Sequence, residues 1–62
     1  MSITRFHQGD LVEDIRNGNM IFITEVNDYV YMYYYIDYPD RELITFVPIL
    51  QENCKRVKHE TT

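Results

Sequence analysis

The residues best suited to chemistry in this chain are its tyrosines. All six lie in one segment, YVYMYYYIDY (residues 29–38), of a chain of 62 residues. Tyrosine rings supply large apolar area for protein contacts and flat faces on which nucleic-acid bases stack. Alternate residues of a β-strand share a face, so four tyrosines share one face of this segment: Tyr29, Tyr31, Tyr33 and Tyr35. We predict that this face, with Asp37 beside it, binds a partner.

The opposite face of the same segment is predicted to be core. It carries Val30, Met32, Tyr34 and Ile36. Four solvated tyrosines on the other face would present on the order of several hundred square ångströms of ring, an area that usually marks an interface. The alternative is that both faces are covered within a small barrel, with the tyrosines pairing across strands.

Acidic residues flank the tyrosine segment. Asp37, Asp40 and Glu42 follow it, and Glu13 and Asp14 lie in an earlier segment. Such a rim is suited to a partner with a basic surface, and it is equally typical of a solvated surface. No loop has the alternating oxygen spacing of a calcium site, and no His or Cys cluster suits zinc. We therefore expect no metal and no cofactor.

The only basic cluster lies near the end of the chain. Lys55, Arg56 and Lys58 are candidates for contact with a phosphate, although a solvated final strand explains them as well. The lone Cys54 is expected to be a small buried apolar residue. The two histidines have no serine or cysteine arranged with them as a nucleophile pair, so we expect no enzymatic activity.

Overall charge and composition narrow the class of partner. Ten acids against six bases give a net charge of −4, which repels phosphate backbones and anionic membrane surfaces. The opening MSITRFHQGD has no apolar signal region, and no run of about 18 apolar residues occurs. A single cysteine fits a reducing compartment. We expect a cytoplasmic protein that contacts no membrane and for which nucleic acid is a disfavoured partner.

The first half of the chain predicts two strands within one domain spanning residues 1–62. One strand covers residues 11–15, and Asn17-Gly18 then predicts a two-residue type I′ hairpin turn. The next strand is MIFITEV, residues 20–26. Its apolar residues Ile21, Ile23 and Val26 break the period of two, which predicts a bulge near Thr24-Glu25. The ends, residues 1–4 and 58–62, have nothing periodic to bury and are expected to fray.

The second half predicts three more strands. After a turn at Asn27-Asp28, a strand covers residues 29–37 and ends where Pro39 occupies the second position of a turn. A fourth strand covers residues 42–47, with Leu43, Thr45 and Val47 on one face. A short helical turn over 49–53 and a fifth strand over 54–57 follow. Five short strands joined by tight turns favour a small all-β barrel.

A motif in the first half resembles that of a known group of proteins. The motif comprises Phe6, Gly9-Asp10, Leu11-Val12, Gly18, Ile21, Ile23 and Val26. It is similar to the small SH3-like barrels of bacterial and phage proteins of unknown function. The second half agrees at Phe46, Pro48, Leu50 and Val57. The resemblance implies a five-stranded SH3-like barrel with a short helical turn before the last strand, a fold that serves many functions.

Two functions fit these features. The first is a non-enzymatic protein-interaction module, a homo-oligomeric accessory or inhibitor protein of phage or mobile-element type, that binds itself or a basic protein through the tyrosine face. The second is binding of a nucleotide or single-stranded nucleic acid, with bases stacked on the tyrosines and phosphates held by the C-terminal basic cluster. A steep loss of affinity with salt would distinguish the second from the first.

Overall fold

The chain forms one antiparallel sheet of five strands with a short helix. The computed structural model describes residues 4–57. The elements are β1 (Leu11–Asp14), β2 (Met20–Val26), β3 (Val30–Tyr35), β4 (Leu43–Phe46), α1 (Val47–Asn53) and β5 (Cys54–Arg56). Their order in the sheet is β4-β3-β2-β1-β5. The all-β class is therefore confirmed. Within residues 4–57 no hydrogen-bonded ladder joins β4 to β5, so the sheet is open.

Strand β2 has the predicted bounds, core face and bulge. Ile21 and Ile23 are fully buried, and Val26 packs against the core. The register with β3 shifts between Ile23 and Glu25, which places an extra residue in β2. The bulge rotates the end of the strand, so that Val26 faces the same side as the two isoleucines although it is three residues beyond Ile23.

The loop between β1 and β2 differs from the predicted two-residue turn. Only Gly18 has positive φ, at 76°, so the type I′ assignment, which needs a second such residue, is wrong. Four residues lie between Asp14 and Asn19, and a bond from the Asp14 amide to the Asn19 carbonyl closes the loop. Inside it, the Gly18 amide donates to the Asp14 carbonyl over 2.7 Å. Gly18 remains the residue whose backbone conformation the loop requires.

The remaining turns agree with the sequence, and the helix is longer than predicted. Asn27 accepts hydrogen bonds from the Tyr29 and Val30 amides at its side-chain oxygen, which fixes the β2–β3 turn. The Arg41 amide donates to the Tyr38 carbonyl, so Pro39 occupies the second position of that turn. Helix α1 begins two residues before the predicted start, because Pro48 suits the first turn of a helix.

The core is a single cluster of buried side chains on one face of the sheet. Its members are Phe6, Val12, Ile21, Ile23, Tyr31, Val47, Leu50 and Cys54. Helix α1 contributes two of them and so covers part of that face. No helix in the described part of the chain is long and apolar enough to cross a membrane. The predicted frayed ends, apart from Thr4, lie outside the described residues.

Candidate interaction surface

The structure reverses the two faces of the tyrosine strand. Tyr31 is fully buried, and Tyr33 and Tyr35 pack against the core. The sequence-based assignment of Tyr31 to an exposed partner face is therefore wrong, and Tyr33 and Tyr35 are half-buried on the core side. The register explains why: Tyr33 and Tyr35 lie opposite the inward Ile23 and Ile21 of β2, and cross-strand neighbours share a face.

The two ends of the predicted site remain exposed. Tyr29 precedes β3 in the β2–β3 turn, and 77% of its surface is accessible. Asp37 follows β3 and lines an open cleft of about 630 Å³ at one end of the sheet, together with Tyr38, Asp40 and Arg41. Tyr35, which is half-buried, also lines this cleft, so the structure brings Asp37 together with one of the predicted tyrosines and leaves Tyr29 apart from them. A binding role for Tyr29, Tyr35 or Asp37 stays a prediction.

Tyr31 has a structural role that its hydroxyl completes. Its ring lies 5.8 Å from that of Phe6, measured between ring centres. The hydroxyl accepts a hydrogen bond from the Phe6 amide over 3.2 Å and donates to the side-chain oxygen of Gln51 over 2.7 Å. Tyr31 therefore joins the N-terminal segment and helix α1 to the sheet, and its ring offers no face on which a base could stack.

Asp14, predicted as part of an acidic rim, is fully buried. One carboxylate oxygen accepts bonds from the Arg16 backbone amide and Nε, and the other accepts from Arg16 Nη2 and the Tyr35 hydroxyl. The side-chain bonds from Arg16 are the main reason that the pKa of Asp14 is lowered, against the opposing effect of burial. Burial, followed by the bond to Asp14, raises the pKa of Tyr35. Asp14 thus organises the β1–β2 loop.

The two described residues of the basic cluster each lie near an acidic side chain. Lys55 Nζ lies 3.9 Å from a carboxylate oxygen of Glu13. Arg56 Nη2 lies 3.3 Å from Asp10 and also donates to the backbone carbonyl of Arg5. Lys58 lies outside the described residues. Both side chains remain more than half exposed and line an open cleft with Arg5, Phe6 and Cys54, so contact with a phosphate stays a prediction.

Cys54 is buried, as the sequence predicts. Burial, with a further contribution from the Asp14 carboxylate, raises the pKa of its thiol to about 11. The thiolate is the reactive form of cysteine, so this thiol is poorly suited to act as a nucleophile near neutral pH. Among residues 4–57, no group of three or more His, Cys, Asp or Glu residues is placed to hold a metal ion.

The side of the sheet away from the core carries a largely apolar surface, interrupted by Glu25 opposite Met32 and by Glu13 on β1. We call its apolar part the outer sheet face. It follows from the alternation of side chains around the buried residues of each strand. Its members are Leu11, Phe22, Val30, Met32, Tyr34, Ile44 and Phe46. The Phe22 and Tyr34 rings lie 5.5 Å apart between centres. Most of these side chains are half-buried against one another.

Strand β4 presents the most accessible part of the outer sheet face. Ile44 and Phe46 are each 62% exposed. Ile44 lies opposite Met32 and Phe46 lies opposite Val30 in the β3–β4 register, so each extends an apolar pair across the sheet. Burial of such side chains is favourable, and their exposure at a sheet edge is typical of an interaction surface.

Sequence reasoning missed Ile44 and Phe46 as site residues. The signal was present, because ELITFV alternates two apolar sets and Leu43, Thr45 and Val47 account for the core side. The other set, which contains Ile44 and Phe46, then has to face solvent or a partner. Comparison of the chain with models of protein families, with characterised proteins and with solved structures found no match.

Proposed function

We propose that this protein is a non-enzymatic interaction module that binds another protein surface through the outer sheet face. The observation that carries this proposal is the pair of 62%-exposed apolar side chains, Ile44 and Phe46, at the edge of a largely apolar sheet face. A chain of 62 residues buries a smaller fraction of its surface than larger domains do. Covering this face with a partner adds to the apolar area that the fold removes from water.

The composition of the face supports a protein partner. Phenylalanine, tyrosine and methionine are enriched in the centres of protein–protein interfaces, and charged residues are depleted there. Phe22, Met32, Tyr34 and Phe46 lie on this face, while the acids on the same side, Glu13 and Glu25, lie on β1 and at the end of β2. Charges lie at its border, where Glu42 accepts a bond from the Thr24 hydroxyl. An apolar centre with a polar border is the usual anatomy of such an interface.

We also propose that the fold is an SH3-like barrel. The support is the order of elements: four consecutive antiparallel strands, a short helix, and a fifth strand that returns to pair with the first. This order agrees with the barrel that the opening motif implies. The fold hosts many kinds of binding, so the proposed function rests on the outer sheet face and not on the fold.

Photochemical cross-linking tests the proposed function without assuming the identity of the partner. Phe46 is replaced by benzoylphenylalanine, a photoreactive residue that keeps a phenyl ring, in cells that naturally produce the protein. The matched control carries the same residue in place of Tyr38, which is 67% exposed and lies in the β3–β4 turn. We expect discrete protein adducts from position 46, whose masses identify the partner, and few from position 38.

The Ile44→Ser variant provides a second, independent comparison. Introduced beside the photoreactive residue, it should reduce the adducts from position 46, because it replaces an apolar contact by a polar one. Ile15→Ser is its control, since Ile15 is 55% exposed but lies in the β1–β2 loop. Adduct yields from position 46 no higher than those from position 38 would refute the proposed function.

A further inference from the structure

We infer that the open cleft of about 630 Å³ at one end of the sheet, which we call the end cleft, binds a small molecule that carries a guanidinium group. The end cleft lies between the β1–β2 loop and the residues that connect β3 to β4. Its two strand residues, Tyr35 and Leu43, lie on the core side of the sheet, where they pair with Ile21 and Tyr33 respectively. The end cleft is therefore separate from the outer sheet face, and this inference does not depend on the proposed function.

The end cleft has the size and the lining of a small-molecule site. Such sites usually measure about 300–1,000 Å³ and combine apolar walls with a few convergent polar groups. In the end cleft, Tyr35, Tyr38 and Leu43 supply aromatic and apolar surface. Two aspartates, one arginine and two asparagines of the surrounding loops supply the polar groups. The lining therefore offers both a surface for a flat apolar group and fixed partners for hydrogen bonds.

Hydrogen bonds hold two parts of this lining in place without a ligand. The Tyr35 hydroxyl donates to the Asp14 carboxylate over 3.1 Å, which fixes the direction of the Tyr35 ring. In the β1–β2 loop, the side-chain oxygen of Asn17 accepts a hydrogen bond from the Asn19 amide over 2.9 Å. A preformed site binds its ligand with a smaller loss of conformational entropy than a mobile one.

The charges of the end cleft favour a cation. Within residues 4–57, neither the carboxylate of Asp37 nor that of Asp40 forms an ion pair. Both residues are exposed, in contrast to the buried Asp14, whose carboxylate is paired with Arg16. Against these two negative charges the cleft lining has one positive charge, on Arg41. The lining is thus net negative, in a chain whose net charge is −4, so it attracts cations and repels anions.

An organic cation suits this lining better than a metal ion does. Calcium takes about six to eight oxygen ligands, and in the described part of the chain no group of three or more His, Cys, Asp or Glu residues is placed to hold a metal. A guanidinium is planar and weakly hydrated, stacks on aromatic rings and donates several hydrogen bonds to carboxylates. Tyr38 is 67% exposed and offers such a ring, beside the carboxylates of Asp37 and Asp40. An ammonium has no planar face to match the ring.

Three matched compounds test the class of ligand. Butylguanidinium carries the proposed group, butylurea is its planar neutral analogue, and butylammonium is a cation without a planar group. NMR titration of isotope-labelled protein detects the weak binding that an open site gives. Its reporters are the backbone amides of residues 37–43 and the side-chain amides of Asn17 and Asn19, which line the end cleft. The backbone amides of Val30 and Ile44, on the outer sheet face, are the reporters that should not change.

Butylguanidinium should shift the signals of the end cleft and bind at least about tenfold more tightly than butylurea, because the charge strengthens each hydrogen bond to a carboxylate. Butylammonium should bind with an affinity between the two. Butylurea that binds as tightly as butylguanidinium would overturn the cationic class of ligand. Saturating butylguanidinium without shifts at the end cleft would overturn the site itself.

Substitutions of exposed residues locate the site while the fold is kept. Asp37→Asn and Asp40→Asn should each weaken the binding of butylguanidinium about two- to fivefold, as expected for an exposed ion pair. Asp28→Asn is the control, because it removes the same charge from the β2–β3 turn at the opposite end of the sheet. Tyr38→Ala should also weaken binding, and Tyr29→Ala in the β2–β3 turn should not. Equal effects at matched positions would overturn the location.

Arg41 and a peptide probe test the sign of the charge and the source of the ligand. Arg41→Gln removes a like charge from the lining and should strengthen the binding of butylguanidinium, whereas Lys55→Gln on β5, the matched loss of one positive charge, should leave it unchanged. Weaker binding in Arg41→Gln would overturn the cationic class. An arginine flanked by two glycines and blocked at both ends should bind no more tightly than butylguanidinium. Markedly tighter binding of this peptide would assign the site to a polypeptide and overturn the small-molecule ligand. Because all these readouts come from the end cleft, such failures leave the proposed function of the outer sheet face standing.

Discussion

Replacement of Tyr31 by phenylalanine tests whether the tyrosine strand faces inward. The variant keeps the ring that packs in the core against Phe6 and removes only the hydroxyl. That hydroxyl accepts from the buried Phe6 amide and donates to Gln51, so its loss removes both bonds and leaves the amide without its partner. If the hydroxyl pointed to solvent instead, its removal would have almost no effect.

The contacts of Tyr31 determine how much free energy of unfolding each substitution should remove. Leaving one buried donor without a partner costs about 1–3 kcal/mol. A domain of 62 residues has a free energy of unfolding of roughly 3–9 kcal/mol. The Tyr31→Phe variant should therefore remain folded but have a measurably lower free energy of unfolding. Tyr31→Ala also removes the ring, and truncation of a buried aromatic side chain costs about 3–5 kcal/mol, which is enough to leave much of the protein unfolded.

Urea denaturation followed by circular dichroism measures both variants. The transition midpoint should fall for Tyr31→Phe while the slope of the free energy with urea stays unchanged, since the fold is retained. Tyr29→Phe and Tyr29→Ala are the matched controls, because Tyr29 is 77% exposed. They should change the free energy of unfolding by less than about 0.5 kcal/mol. Equal stabilities for Tyr31→Phe and the wild type would refute the inward face of β3.

Two further predictions concern the β1–β2 loop. Gly18→Val should cost more than about 1 kcal/mol because a β-branched residue disfavours positive φ, whereas Gly18→Asn should cost much less; equal urea midpoints for the two would contradict the loop geometry. The pKa of Asp14 is lower in the folded protein than in the unfolded chain, where it is about 3.9. The ionised carboxylate therefore stabilises the fold fully above that unfolded pKa, and this contribution is lost as pH falls through the folded pKa. The difference in unfolding free energy between wild type and Asp14→Asn should therefore be largest near neutral pH and should shrink in acid. A difference that does not change with pH would show that the charge of the carboxylate does not stabilise the fold.

Short sequence patterns predicted most of the strands and turns and the position of the helix. The broken period of Ile21, Ile23 and Val26 predicted the bulge in β2 because only an extra residue returns Val26 to the core side. Asn27 and Pro39 marked turns through their backbone preferences. The bounds of the helix differed by two residues, since an X-Pro sequence can end a strand and begin a helix equally well.

The faces of β3 could not be assigned from that strand alone. Both of its faces are apolar or aromatic, so alternation gives no contrast. The hairpin of β2 and β3 determines which side chains of β3 face the core. A turn that begins at Asn27 with two central residues places Tyr31 opposite Val26, which the bulge in β2 turns toward the core. Register, and not composition, therefore decides the face.

The burial of Asp14 was beyond reach of the sequence pattern. An acid in a short strand is most often solvated, since a buried carboxylate is costly without partners. Here Arg16, two residues later, and Tyr35, from a strand that is not adjacent to β1, together supply those partners. Their convergence depends on the folded loop and on the sheet order, which no local spacing specifies.

The concentration of tyrosines in one strand has a physical reason in a chain this small. A large ring on each inward position of β3 fills the limited core with few residues, and the hydroxyl at its end reaches the border of the core. The Tyr31 hydroxyl accepts a hydrogen bond from the Phe6 amide and donates one to Gln51 of helix α1. The Tyr35 hydroxyl donates to the carboxylate of Asp14, at the start of the β1–β2 loop. Through these hydrogen bonds, both tyrosines connect neighbouring segments of the chain to the sheet. Since these rings pack on the core side, the partner surface that we propose is the opposite face, whose most accessible apolar side chains are Ile44 and Phe46.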